Sequence, residues 1–209
     1  MYNTLETIKS YAVIQDSDEI TEMVEAMAFM LRYSIQTNLE EITIANELRH
    51  VLSYMTILKH RIDREFEIDV VIPPGLLLEK TVRLTLQPLI ENIFQHAFPG
   101  GIEDRHAIRI DARIENGRFL VMVEDNGVGI SSERLDRLRE KLKLNQLAGG
   151  EGDSLYHRGG IGLMNVHRRI QMVFGEEYGL SVESRQGEGT RMTLSMPAER
   201  RNSQLAERK

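Results

Sequence analysis

The sequence has no cysteine and no tryptophan among its 209 residues. Without cysteine the chain forms neither disulfides nor thiolate metal sites, so its stability must come from a packed core. Nor is there an excess of positive charge: 26 Lys and Arg residues stand against 32 Asp and Glu residues, which gives a net charge of −6. Because a nucleic-acid-binding protein needs a basic face to neutralise phosphates, this balance argues against a nucleic-acid partner.

Long apolar runs are also missing. No uninterrupted run approaches the roughly 20 residues that cross a membrane, and no signal-peptide pattern is present, so we expect this chain not to be embedded in a membrane. Hydrophobic residues at 41% and charged residues at 28% are ordinary values for a globular protein. With the absence of cysteine, this composition predicts a cytoplasmic location.

Helical periodicity dominates the first part of the chain. Two apolar stripes, separated by the polar break at residues 15–18, predict a helical hairpin over residues 1–38. The second stripe is rich in methionine, which fills irregular gaps between helices, and its face packs either within the chain or on a second copy. A third helix is predicted from Ile44 to Arg61, and we place a domain boundary after residue 62.

Residues 63–198 mix strand and helix patterns, which predicts an α+β fold. Strands are expected near residues 66–70, 107–115, 118–124, 180–185 and 191–196, and helices at 82–97, 132–144 and 160–174. Asn116-Gly117 is a strong hairpin signal. Pro88 should bend its helix or mark a restart. We expect helices on one face of a mixed, mainly antiparallel sheet, followed by a flexible tail at 199–209.

The first glycine-bearing segment, Glu124-Asp125-Asn126-Gly127-Val128-Gly129-Ile130, directly follows a predicted strand. A carboxylate at a strand end with two glycines after it lets a ligand ring approach the backbone while the acid accepts from an exocyclic amine. An ordinary tight turn with an Asx cap explains the same residues.

Two further segments contain closely spaced glycines. Gly159-Gly160-Ile161-Gly162-Leu163 opens a helix, where free amides form a phosphate site. It is not a P-loop and does not open a βαβ dinucleotide unit, because neither Gly-Lys-Ser/Thr nor a downstream ribose-binding acid accompanies it. Gly187-Glu188-Gly189-Thr190 joins two strands and by itself is a hairpin turn.

One predicted helix carries a polar pair. Asn92 and His96 are four residues apart and therefore share a face. An amide oxygen suits Mg²⁺, which takes its other ligands from water and phosphates. Taken alone, an Asn such as Asn92 on a helix is more often a solvated surface residue, and His96 is equally well explained as a charge at a helix C-terminus.

The order of these segments resembles the Bergerat (GHKL) ATP-binding fold over residues 66–197. The resemblance implies that Asn92 holds Mg²⁺, that Asp125 takes the adenine amino group and that Thr190 supports the adenine end. It implies that the glycines after Asp125 shape the adenine pocket, and that the later Gly-Gly-Ile-Gly-Leu segment closes over the phosphates. The residues assigned to the ATP site are Asn92, His96, Asp125, Gly127, Gly129, Ile130, Gly160, Gly162, Leu163 and Thr190.

The position four residues before Asn92 indicates the branch of this fold. Hydrolytic members place a water-activating glutamate there, whereas this chain has Pro88, which cannot act as a general base. Glu91 points about 100° away around the helix and is a poor substitute.

A narrower resemblance is to LytS/YesM-like sensor histidine kinases. Their characteristic LQPLVENAIKH box is close to LQPLIENIFQH here, and GLMNVHRRI matches their GLxNVxxRL segment. Glu47-Leu48, Tyr54, Ile57 and Arg61 fit the pattern of their preceding helix. The resemblance implies a homodimer, a response-regulator partner and, for the intact protein, a membrane sensor.

The start of the chain matches the end of that family's acceptor phrase, P-H-F-L-Y-N-T-L. We therefore expect the phosphoacceptor histidine just upstream of Met1, so no catalytic residue is assigned within the chain, and we expect it to bind Mg·ATP without autophosphorylating. Two alternatives stay open: a degenerate nucleotide-binding or dimerisation module, and an anti-sigma-type protein kinase, against which the helical hairpin argues.

Overall fold

A computed structural model describes residues 2–35, 41–60, 66, 68–144 and 159–198. Within these ranges the helices are α1 (Tyr2–Ile14), α2 (Asp18–Ile35), α3 (Ile44–Lys59), α4 (Leu86–His96), α5 (Ser132–Lys143) and α6 (Gly159–Phe174). The strands are β1 (Glu41–Thr43), β2 (Ile68–Val71), β3 (Lys80–Val82), β4 (Ile108–Glu115), β5 (Arg118–Asp125), β6 (Gly179–Arg185) and β7 (Gly189–Pro197).

The predicted helical hairpin is present as α1 and α2. The chain reverses between them at Asp16, whose φ of 50° is tolerated by a short polar side chain. Lys9 and Glu25 form an ion pair of 2.6 Å across the two helices. The hairpin then packs along α3 through α2.

The main sheet has five strands in the order β2-β4-β5-β7-β6. β2 runs parallel to β4, and the other pairs are antiparallel, so the predicted mixed, mainly antiparallel sheet is confirmed. β4 and β5 are joined at Asn116 and Gly117, whose φ values of 50° and 75° fit the two-residue turn that this dipeptide favours.

One face of the sheet is apolar and the other is charged. Along β4, Ile108 and Ile110 are buried, whereas Arg109 is exposed. On the apolar face, α4 contacts β5 and α6 contacts β6 and β7, which gives the predicted α+β arrangement. The buried face of α3 joins the same core, so this helix packs with the sheet domain as well as with the hairpin. The boundary after residue 62 stays a prediction.

The stretch before α4 differs from the expected helix over residues 82–97. Residues 80–82 form β3, which pairs antiparallel with β1 in a small sheet that the sequence did not indicate. The helix begins at Leu86, so Pro88 lies in its first turn, where the missing N–H has no intrahelical acceptor in any case. No helix precedes Leu86 in this stretch, so Pro88 lies at the start of a helix rather than at a restart within one.

Candidate nucleotide-binding site

Asp125 and Thr190 lie side by side at one edge of the sheet. They are partners in the register of β5 and β7, at the end of one strand and near the start of the other. The side chain of Asp125 is buried, with 9% of the residue exposed. Its Oδ1 accepts the N–H of Gly127 at 2.8 Å. Burial raises the pKa of Asp125, and backbone N–H donors of Gly127 and Thr190 partly oppose that rise.

The glycines around Asp125 are required by contacts within the protein. A Cβ at Gly127 would lie 2.4 Å from the carbonyl oxygen of Ala97, and one at Gly129 would lie 2.1 Å from that of Arg185. Gly189 has a φ of +108°, and a Cβ there would meet the carbonyl oxygen of Asp125 at 2.0 Å. At each of these three glycines, another backbone segment therefore lies so close that there is no room for a side chain. A role for these glycines in shaping an adenine pocket stays a prediction.

Backbone hydrogen bonds fasten the loop after β5 to its neighbours. The N–H of Val128 donates to the carbonyl of Ala97, directly after α4, at 3.0 Å, and the N–H of Gly187 donates to the carbonyl of Val128 at 2.8 Å. Asn126 accepts from the N–H of Ala107 at 2.7 Å through its side-chain oxygen. The loop, the end of the helix that carries Asn92 and the β6–β7 turn thus form one structural unit.

Ser184 belongs to this unit, although the sequence analysis did not single it out. Its hydroxyl lies 2.9 Å from that of Thr190 and donates to the carbonyl of Gly189 at 2.7 Å. It also accepts the N–H of Ile130 at 2.8 Å. Ser184 is the register partner of Thr190 in the β6–β7 hairpin. A sequence prediction with the correct turn would therefore have placed Ser184 beside Thr190.

Asn92 and His96 occupy the expected helix. Asn92 is half-buried and His96 is exposed near the C-terminal end of α4. Desolvation and, to a lesser extent, the positive charge of Arg134 on α5 lower the pKa of His96. In the described part of the chain no cluster of three or more His, Asp and Glu side chains could hold a metal. The single amide oxygen of Asn92 suits a cation that takes most of its ligands from phosphates and water, as Mg²⁺ does, and its role as a metal ligand stays a prediction.

The glycine-rich segment opens α6, which begins at Gly159. Gly162 lies against the first turn of α4, where a Cβ would be 3.9 Å from the Cβ of Pro88, an ordinary contact. The side chain of Leu163 is buried in the core, so any contact of this residue with a ligand would come from its backbone. Residues 145–158, which precede this helix, lie outside the described residues.

The carboxylate of Glu91 is engaged by a neighbour on its own helix. Its carboxylate accepts a hydrogen bond of 2.6 Å from the side-chain amide of Gln87, one turn earlier on the same helix. That hydrolytic chemistry is disfavoured stays a prediction.

A helix-covered mixed sheet with an acid–glycine loop at one edge and a glycine-opened helix beside it defines an α+β nucleotide-binding domain. Residues 78–200 match the family model described as histidine kinase-, DNA gyrase B-, and HSP90-like ATPase. The chain belongs to this family. Residues 1–66 match a second model, described as histidine kinase.

Curated relatives confirm the resemblance to sensor histidine kinases. The chain is 35% identical to sensor histidine kinase YesM of Bacillus subtilis and 27% identical to sensor histidine kinase BtsS of Escherichia coli. Both matches cover 94% of this chain and 31% of the relative, so the chain spans about a third of the length of these proteins.

Two solved structures show the same fold. Mycobacterial sensor histidine kinase MprB gives a TM-score of 0.51 at 16% identity, covering 77% of this chain and 98% of that one. The crystal structure of full-length ShkA in complex with AMPPNP gives 0.52 at 18% identity, covering 90% and 38%. Among the residues that the structure describes here, no helix has the length and apolarity needed to cross a bilayer.

Proposed function

We propose that this chain is the ATP-binding and dimerisation part of a sensor histidine kinase. The observation that carries the proposal is the unit formed around Asp125. A buried carboxylate, its register partner Thr190 and a glycine loop are hydrogen-bonded to the end of α4, the helix that carries Asn92. The bound AMPPNP in the ShkA structure supports a nucleotide as the ligand.

In this proposal the ends of the nucleotide contact different elements. The carboxylate of Asp125 accepts from the exocyclic amine of adenine, and the loop from Gly127 to Ile130 borders the base. Asn92 holds Mg²⁺, which lowers the charge repulsion of the triphosphate, and His96 lies one turn further along α4. The backbone of Gly160, Gly162 and Leu163 at the N-terminus of α6 faces the phosphates.

The reaction proposed for the intact protein is transfer of the γ-phosphoryl group to a histidine. A ring nitrogen of that histidine forms the new bond to phosphorus while the bond to the β–γ bridging oxygen breaks, and ADP leaves. Such a transfer depends mainly on positioning and charge neutralisation. Pro88, at the position of a hydrolytic base, favours transfer over hydrolysis. The phosphoryl group would then pass to a response regulator, and the intact protein would be a homodimer with this part in the cytoplasm.

Two measurements test the proposal. Calorimetric titration of the chain with Mg·ADP should show saturable binding, and the intact protein should take up acid-labile label from γ-labelled ATP. Binding without acid-labile label would favour the degenerate module, and acid-stable label on a protein substrate would favour the anti-sigma-type kinase. Absence of nucleotide binding would overturn both kinase proposals and leave only a dimerisation module.

A further inference from the structure

Glu47 on α3 is a fully buried carboxylate at the N-terminal end of α4. Its Oε1 accepts the N–H of Leu84 at 2.7 Å, and its Oε2 accepts those of Thr85 and Leu86, both at 2.8 Å. The Thr85 hydroxyl adds a contact of 3.2 Å to Oε2. Both carboxylate oxygens of Glu47, a residue with no solvent exposure, therefore accept hydrogen bonds from one short segment, residues 84–86.

This carboxylate acts as the N-terminal cap of α4. The first N–H groups of a helix have no intrahelical acceptor, and negative charge is favourable there. Thr85 occupies the cap position without making a side-chain cap hydrogen bond, so Glu47 supplies the acceptors from another helix. Leu84, immediately before, has a φ of +59°, a conformation that is costly for leucine and is supported here by the bond to Glu47.

The same carboxylate is joined to α2. The hydroxyl of Tyr33 donates to Oε1 of Glu47, and its ring stacks on His50 of α3 with centroids 4.3 Å apart. Arg83 lies over the Tyr33 ring at 4.6 Å and donates to the Tyr33 carbonyl at 3.3 Å. The end of the hairpin and the segment that starts α4 therefore hold each other through one tyrosine.

The helix opened by the glycine-rich segment reaches this segment too. Arg169 of α6 donates to the carbonyls of Arg83 and Leu84, each at 3.4 Å. A cavity of about 280 Å³, lined by Ser34, Pro88, Gly162 and Arg169 among others, separates the end of α2 from the first turns of α4 and α6.

We propose that Glu47 is a positioning residue that couples the place of α2 to that of Asn92. A displacement of Tyr33 changes how Glu47 caps α4, and Asn92 lies six residues, or about 9 Å, along that helix from Leu86. The inference rests on the proposed nucleotide site. By linkage, a nucleotide that orders α4 must in turn order the end of α2.

Hydrogen exchange of the 209-residue chain, with and without Mg·ADP, tests this coupling. In the wild-type chain Mg·ADP should slow exchange at least about fivefold in residues 29–35 as well as in α4. Tyr33→Phe removes only the hydroxyl, so Mg·ADP should still slow exchange in α4. In residues 29–35 of this variant, the exchange rates with and without Mg·ADP should differ by less than about twofold. Tyr11→Phe, at a 66% exposed tyrosine on the same hairpin, is the matched control and should behave as wild type.

Glu47→Gln provides a second test. An amide retains one acceptor oxygen but loses the charge, so exchange in the first turn of α4 should rise and protection of residues 29–35 by Mg·ADP should be lost. Binding of Mg·ADP with no protection of residues 29–35, or equal protection in wild type and Tyr33→Phe, would overturn the coupling and leave the proposed function standing. No binding by the wild-type chain would overturn both.

Discussion

Asp125 shows how one residue can serve both the fold and the proposed site. One carboxylate oxygen closes the turn to Gly127, and burial keeps the group between its neighbours in β5 and β7. An amine donor brought by a ligand would meet a carboxylate that is already oriented. That preorganisation is the physical reason for assigning the adenine end of the proposed site to this residue.

Asp125→Asn should weaken Mg·ADP binding by about 10- to 100-fold, because a hydrogen bond to a charged acceptor contributes about 1.5–3 kcal/mol. Calorimetry measures the change, and Asp111→Asn on the neighbouring strand is the matched control, expected to stay within about twofold of wild type. Burial raises the pKa of Asp125, so this carboxylate takes up a proton at a higher pH than an ordinary aspartate does. As the pH is lowered, binding should therefore begin to weaken at that higher pH. An equal loss in both variants would contradict the assignment.

His167 offers a test of folding at the scale of one side chain. It is buried, and its Nδ1 accepts the N–H of Leu180 at 3.0 Å, which requires that this nitrogen carry no proton. Burial, together with the charge of Arg168, lowers the pKa of His167 below its ordinary value of 6.5. The unfolded chain therefore binds this proton more tightly than the folded chain does.

It follows that the contribution of His167 to stability is complete above about pH 6.5 and is lost as the pH falls towards the lowered pKa. In His167→Gln the unfolding free energy should therefore decrease less between pH 7.5 and 5.5 than it does in the wild-type chain. Urea denaturation at several pH values measures this, and His60→Gln, at an exposed position, should keep the wild-type slope. His50 and His96 stay in both variants, so the difference reports His167 alone.

At the scale of elements, two glycines serve different purposes. Gly127→Ala would push a methyl group into the backbone of Ala97 at 2.4 Å, which separates the loop after β5 from the end of α4. We expect a loss of about 1–3 kcal/mol in the free energy of unfolding. Gly162→Ala meets only Pro88, at 3.9 Å, within a helix, and should gain about 0.5–1 kcal/mol.

Nucleotide binding should separate the two variants further. If the backbone at Gly162 faces the phosphates, the stabilised Gly162→Ala chain should bind Mg·ADP at least about fivefold more weakly, because an added methyl obstructs close approach. Urea midpoints and calorimetry on the same preparations give both quantities. Undiminished binding by Gly162→Ala would remove this glycine from the proposed phosphate site.

For the whole molecule, the hairpin leaves an unusual amount of apolar surface. Among the described residues of α1 and α2, seven large hydrophobic side chains are more than two-fifths exposed: Ile8, Tyr11, Val13, Ile14, Ile20, Met27 and Ile35. Two helices packed on one side of α3 cannot cover both of their own flanks. A second copy of the hairpin would cover this surface, in line with the proposed homodimer.

Sedimentation equilibrium should therefore show a concentration-dependent dimer. Met27→Glu should weaken dimerisation at least about tenfold, because burying a methionine contributes about 1.5–3 kcal/mol. Met172→Glu makes the same change at a 75% exposed position on α6 and should leave the equilibrium unaltered. A monomer at all concentrations, or equal effects of the two substitutions, would contradict this prediction.

The sequence predicted the elements whose signals are local. Asn116-Gly117 favoured the left-handed turn that joins β4 and β5, and the periodic apolar residues predicted the six described α-helices, with the start of α4 placed four residues too early. It was wrong about residues 82–85, because a strand of three residues such as β3 has too short a pattern to compete with the helical signal that follows.

The amino-acid sequence by itself determined the helical hairpin, the order of the glycine segments and hence the family. Only the tertiary structure decided how these parts are held together. Glu47 caps a helix that begins 39 residues later, and Ser184 supports Ile130 from 54 residues away. Neither residue carries a local signal, since a buried polar side chain takes its role from whichever unsatisfied backbone groups the packing brings to it.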